Sequence, residues 1–133
     1  MRLDPGTIAH WQNFKPGVDK FIYILGTSAS GDVLSFTISS QTKYLSLKPH
    51  ADEMVEIPYR QTSFLCRRSF IQCFHYVTRT PVADFRALEK DGSISWRACL
   101  PEFIPKVVEI MGTSQLLPEH DIEDVLETIG RCS

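Results

Sequence analysis

Between positions 18 and 41 the chain shows two kinds of apolar pattern in succession. Phe21-Ile22-Tyr23-Ile24-Leu25 is apolar at every position, the pattern of a strand covered on both faces. Val33 to Ser39 alternates instead, with Leu34, Phe36 and Ile38 on one face and Ser35, Thr37 and Ser39 on the other. The segment between them, Thr27-Ser28-Ala29-Ser30-Gly31-Asp32, is built of turn residues. The two runs therefore read as neighbouring strands, with a ladder of hydroxyls on the open face of the second. Such a ladder is either solvated strand surface or part of a site.

The same reading extends to the rest of the chain. Gly6 to Phe14 is a first strand, closed by the turn Lys15-Pro16-Gly17. Glu53 to Ile57 is a short strand closed by Pro58. Phe70 to Thr78 is the longest run, with Ile71, Cys73, His75 and Val77 on one face, and Val82 to Leu88 reads as a last strand before the turn Lys90-Asp91-Gly92-Ser93. Gln41 to Asp52 is polar and has no clear period. After Leu100 the period changes to that of a helix. Phe103, Ile104, Val107, Val108 and Met111 form one apolar stripe, and Ile122, Val125, Leu126 and Ile129 form another. Gly112 and Gly130 stand as helix stops. The expected fold is mainly β with C-terminal helices, an α+β chain. Its strongly bent antiparallel sheet is drawn from the runs 7–14, 20–26, 33–39, 53–57 and 70–78, with helices at 101–111 and 118–129.

Composition narrows the class. A chain of 133 residues is read as one domain, with a β-barrel over about 6–90 and helices over about 100–130. With 43% hydrophobic and 23% charged residues it is globular rather than disordered. No apolar stretch approaches the roughly 20 residues of a membrane helix, and the N-terminal residues lack the apolar core of a signal peptide. The expected location is cytoplasmic. Cys66, Cys73, Cys99 and Cys132 follow no zinc or redox spacing, so they read as free thiols, and no metal or cofactor is expected. The net charge of −2 argues against nonspecific nucleic-acid binding by the whole surface. Locally, though, Arg60, Arg67, Arg68, Arg79, Arg86, Lys90 and Arg97 precede a tail rich in Asp and Glu. That basic middle is either a polyanion-binding face or solvated surface.

Several stretches together resemble the PemK/MazF family of toxins from toxin–antitoxin pairs. Gly6-Thr7-Ile8-Ala9-His10-Trp11 through Lys15-Pro16-Gly17 looks like the family's opening strand and Pro-Gly turn. Lys20 to Leu25 stands where the family has a basic residue leading into the central strand. Thr37-Ile38-Ser39-Ser40-Gln41 resembles its strand ending in hydroxyl residues and a glutamine, and Ser69-Phe70-Ile71-Gln72 the strand after its variable loop. The helix near 100–110 matches the family's helix behind the barrel, whereas the second helix has no clear place in the shorter members. The resemblance implies an SH3-like barrel, usually a homodimer held in check by a cognate antitoxin protein, that cleaves single-stranded RNA without a metal. The nucleophile would be the RNA's own 2′-hydroxyl.

Carried over residue by residue, the resemblance implies catalytic roles for Lys20, Ser39 and Ser40, and RNA contacts for Gln41, Gln72 and the loop arginines Arg60, Arg67 and Arg68. His75 can serve as acid or base, although its parity groups it with apolar residues, where a histidine is more often a satisfied core residue. His10 and His50 read as surface histidines. Two departures stand out. Lys20 replaces the family's arginine and lacks its planar fork, and Gln72 and Phe74 fall where some members have Arg and Asp. The chain is accordingly expected to be an endoribonuclease or, on the same barrel, a binding module that contacts a protein or nucleic acid and cuts nothing.

Overall fold

The computed structural model describes residues 2–58, 62–74 and 76–132. Three strands make the spine: β1 (Thr7–Lys15), β2 (Val18–Thr27) and β3 (Asp32–Ser39). β4 (Met54–Ile57), β5 (Ser69–Gln72), β6 (Thr78–Pro81) and β7 (Ile94–Cys99) complete a sheet of order β4-β5-β3-β2-β1-β7, with β6 pairing β3. All pairings are antiparallel, and the sheet curls strongly into a half-barrel. The helices are α1 (Val82–Lys90), α2 (Ile104–Thr113) and α3 (Glu119–Arg131).

The all-apolar run 21–25 is central, as its pattern predicts, and it splits between two cores. Tyr23 and Leu25 join Ile8, Leu34, Phe36, Ile38 and Ile71 under α2 and α3, which contribute Val107, Ile110, Val125 and Ile129. Ile22 and Ile24 join Ala9, Val33 and Ile94 beneath Phe85 of α1. Tyr23 is fully buried, and its hydroxyl donates to the Leu100 carbonyl at 2.7 Å, fastening β2 to the start of the helical part. Burial raises the pKa of that phenol well above its ordinary value, so it stays protonated. At the start of β1, Gly6 has φ +95°, and a Cβ there would lie 2.5 Å from the Pro101 Cα. Only glycine lets the two chain segments approach this closely.

Three sequence expectations are corrected. Val82 to Leu88 is helix, not strand. Val82, Phe85 and Leu88 recur at helical spacing, all three pack on the second core, and Ala83, Arg86 and Ala87 between them are good helix formers. The long run 70–78 is two strands rather than one. β5 pairs with the end of β3 at Ile38 and Ser39, β6 pairs with its beginning from Asp32 to Ser35, and the Cys73 N–H turns aside to the Glu53 carbonyl at 3.0 Å. Cys73, Phe74 and Val77 remain buried across the break, so the apolar pattern continues where the ladder does not. Thirdly, the hydroxyl face of β3 is not open: Ser35, Thr37 and Ser39 are 2%, 8% and 8% exposed. The sheet also extends past residue 90 through β7, which pairs with β1. The two C-terminal helices match the expected segments within a few residues.

Two side-chain clasps hold the helices to the sheet. Arg79 of β6 reaches Asp121 at 2.6 Å and Asp124 at 2.8 Å on α3. These carboxylates raise the affinity of the guanidinium for its proton. Glu53, 3% exposed, accepts the Gln115 N–H at 3.0 Å and the Ser114 hydroxyl in the link between α2 and α3.

Candidate functional site

The face of the sheet beneath α1 is covered only part of the way along. On the same face, away from Phe85, residues of the β1–β2 hairpin and Lys43 and Tyr44 line a cleft. The register places Phe21 opposite Ile38, so Lys20 and Ser39 are the next cross-strand pair. On the other side of β3, Ile38 lies opposite Ile71, which puts Thr37 beside Gln72. Lys20, Thr37, Ser39 and Gln72 therefore share one face and form the floor.

Two adjoining cavities make up the cleft, and Lys20, Ser39 and Gln41 line both. The first, of about 410 Å³, lies at the end of the sheet and is completed by Asp19, Ser40, Phe64, Cys66 and Arg67 among others. The second, of about 310 Å³, is walled by Phe14 and Lys15 of the hairpin, Lys43 and Tyr44, and Tyr76. Lys15 stands 6.0 Å from the centre of the Tyr76 ring and Lys43 5.0 Å from that of Tyr44. Three lysines thus line the second cavity, and no acidic side chain among the described residues does. Among the described residues, none of these three lysines forms an ion pair.

The floor is polar and largely withdrawn from bulk water. Ser39 Oγ accepts the Gln41 N–H at 3.1 Å, which shapes the strand exit. Thr37 is 8% exposed and Gln72 5% exposed, both line the second cavity, and neither side chain has a hydrogen-bond partner among the described residues.

Of the residues singled out from the sequence, Lys20, Ser39, Ser40, Gln41 and Arg67 converge on the first cavity, and Lys20, Ser39, Gln41 and Gln72 on the second. Arg68 lines neither. Its guanidinium forks onto Glu56 with two contacts of 2.8 Å and lies over the Phe70 ring. Arg60 and His75 lie outside the described residues. The charge asymmetry is resolved differently from either sequence reading, because Arg79 is spent on the acidic helix α3 and Arg68 on Glu56. Of the arginines in that basic middle Arg67 lines the cleft, and its other cations come from the hairpin and from Lys43.

Sequence reasoning missed Lys15, Thr37, Lys43, Tyr44 and Tyr76 as cleft residues. Lys15 had a signal, since a lysine beside a Pro-Gly turn at the mouth of a hairpin stands near the Lys20 it flanks. Lys43 and Tyr44 had none, lying in a stretch without period. His10 was also underread. Its Nε2 faces Asp19 Oδ2 at 3.8 Å, while Asp19 Oδ1 accepts the Asn13 N–H at 3.0 Å. Asp19 is the single carboxylate among the described residues lining the cleft.

All four cysteines are unpaired, and burial holds the Cys73 thiol far from ionisation. No group of three or more metal-ligating side chains occurs among the described residues. No helix among them is long and apolar enough to cross a membrane. Comparison of the chain with protein-family models, curated proteins and solved structures found no match.

Proposed function

We propose that the cleft binds single-stranded RNA and that the chain is a PemK/MazF-like toxin acting as a metal-independent endoribonuclease. The observation that carries this reading is that Lys15, Lys20 and Lys43 line one cavity with a floor of hydroxyl and amide groups, with no carboxylate there among the described residues. Cations attract the phosphate backbone, and aromatic walls accept bases from an unpaired strand. Phe14, Tyr44 and Tyr76 supply such walls on this reading. Lys20 neutralises the reacting phosphate, Ser39 and Ser40 donate hydrogen bonds to its oxygens, and Arg67 holds the strand beyond the first cavity. The attacking group is the adjacent 2′-hydroxyl of the RNA. Proton transfer falls to the Asp19–His10 pair at the cavity edge, or to His75. On the same reading the curled sheet is an SH3-like barrel of the PemK/MazF type. The protein is cytoplasmic, works as a homodimer and is silenced by a cognate antitoxin.

A second reading, binding without cleavage, is favoured by one observation. Asp19 leaves β2 on the opposite side from Lys20 and already accepts the Asn13 N–H, so the described acid–base candidate is turned away from the Lys20–Ser39 pair. One experiment separates the two readings. Purified protein is incubated with a long single-stranded RNA in EDTA and the products are sized. Discrete cuts with cyclic-phosphate ends support the nuclease. Retention of intact RNA in a salt-sensitive complex supports the binding module, and neither cuts nor complex refutes both.

A further inference from the structure

From the floor of the second cavity we infer that it is a nucleobase pocket, and that the base it reads is adenine. The inference rests on the RNA-binding reading only for the source of the nucleotide. A buried polar group ordinarily has a partner, because leaving one unpaired costs more than a hydrogen bond returns. Gln72, at 5% exposure, has no hydrogen-bond partner for its amide among the described residues, and neither has the hydroxyl of Thr37 beside it, at 8%. Neither group is among the fully enclosed unsatisfied atoms, so their polar atoms reach the cavity they line. Two unpartnered groups side by side at the bottom of a cleft are a vacant set of hydrogen bonds.

Their chemistry selects the ligand. A glutamine amide presents one donor and one acceptor in a plane, the complement of a base edge that offers an acceptor beside an amino group. Adenine offers that combination on both of its edges, through N6 with N7 and through N6 with N1, whereas cytosine offers it on one, through N4 with N3. The Thr37 hydroxyl adds one further donor or acceptor. Tyr76, 43% exposed, and Phe14 line the same cavity, so a bicyclic base has aromatic surface to stack on. Lys20 and Lys15 stand on the same cavity, where the nucleotide's phosphate would lie. A volume of about 310 Å³ is at the small end of ligand sites, suited to one nucleotide rather than several.

The test is a base competition with the full chain. Labelled oligo(A), oligo(U) and oligo(C) of equal length are bound at one fixed salt concentration, and AMP, GMP, CMP and UMP are used as competitors. The pocket predicts that oligo(A) binds on the order of tenfold more tightly than the others and that AMP is the best competitor. It also predicts that Gln72→Leu lowers oligo(A) binding to the level of the other two oligomers. Thr37→Val, which preserves shape on a strand, weakens oligo(A) binding several-fold at unchanged melting temperature. Equal binding of all oligomers, or a preference that survives Gln72→Leu, overturns the inference while the RNA reading stands. Preferential AMP binding with no oligomer bound keeps the pocket and overturns the RNA reading.

Discussion

Lys20→Gln tests the electrostatics of the cleft most directly. The substitution keeps most of the side-chain stem and removes one charge. If Lys15, Lys20, Lys43 and Arg67 each neutralise one phosphate, the cleft makes about four phosphate contacts, and the logarithm of affinity for a single strand falls with the logarithm of salt at a slope of about −2.8. Removing Lys20 takes the slope to about −2.1. The direct loss follows from distance. A charge pair at hydrogen-bonding range near a protein surface is worth between about 1 and 4 kcal/mol before desolvation is subtracted, so a net loss of roughly 1–2 kcal/mol, or 5- to 30-fold, is expected at low salt. Wild type and variant converge as salt approaches about 1 M, where the screening length is roughly 3 Å. The assay is a salt titration of fluorescence anisotropy with a labelled single-stranded RNA, alongside thermal unfolding. Ser39→Ala serves as the neutral counterpart. It loses an acceptor for the Gln41 N–H, costs about 0.5–1.5 kcal/mol and leaves the slope unchanged. A Lys20→Gln protein of normal stability with the wild-type slope would refute the placement of phosphate beside Lys20.

Three further predictions concern the scaffold. Glu53→Ala strands the Gln115 N–H and removes the acceptor of the Ser114 hydroxyl in a site only 3% exposed, and it is expected to cost about 2–4 kcal/mol in denaturant unfolding, with Glu53→Gln intermediate. A loss below about 0.5 kcal/mol would show that water replaces the clasp. Gly6→Ala forces a Cβ to 2.5 Å from the Pro101 backbone at a φ of +95°, so it should destabilise by about 3 kcal/mol or more, against a near-neutral Gly17→Asn at the exposed hairpin turn. The Arg68 guanidinium holds the Glu56 carboxyl below its ordinary range, so the pair stabilises the fold above the unfolded-state value of about 4.3 and loses that contribution as pH falls through the lower folded-state value. Stability curves of wild type and Arg68→Gln should therefore differ slightly near neutrality and converge below about pH 4, and a gap that widens in acid would contradict the sign.

The sequence by itself determined the spine and the two C-terminal helices. Period-two alternation in 33–39, the continuous apolar run 21–25 and the helical stripes after residue 100 are local signals. Each was legible because a side chain's parity follows from its own backbone geometry. Even the meeting of Lys20 with Ser39 was readable, since the ends of a hairpin are tied by its turn. Other features depended on partners distant in the chain. The hydroxyl face of β3 looked open, yet the fold buries Ser35, Thr37 and Ser39, and α1, more than forty residues further along the chain, packs on the same side of the sheet. Phe70–Thr78 carried one unbroken apolar pattern, yet two stretches of β3 claimed its two ends, because burial and ladder pairing are separate constraints. The same distinction separates the arginines. Composition counted Arg68 and Arg79 as free charge, but Glu56 and the acids of α3, which only folding brings within reach, take them up. The charges left to the cleft are those for which the tertiary structure provides no carboxylate among the described residues.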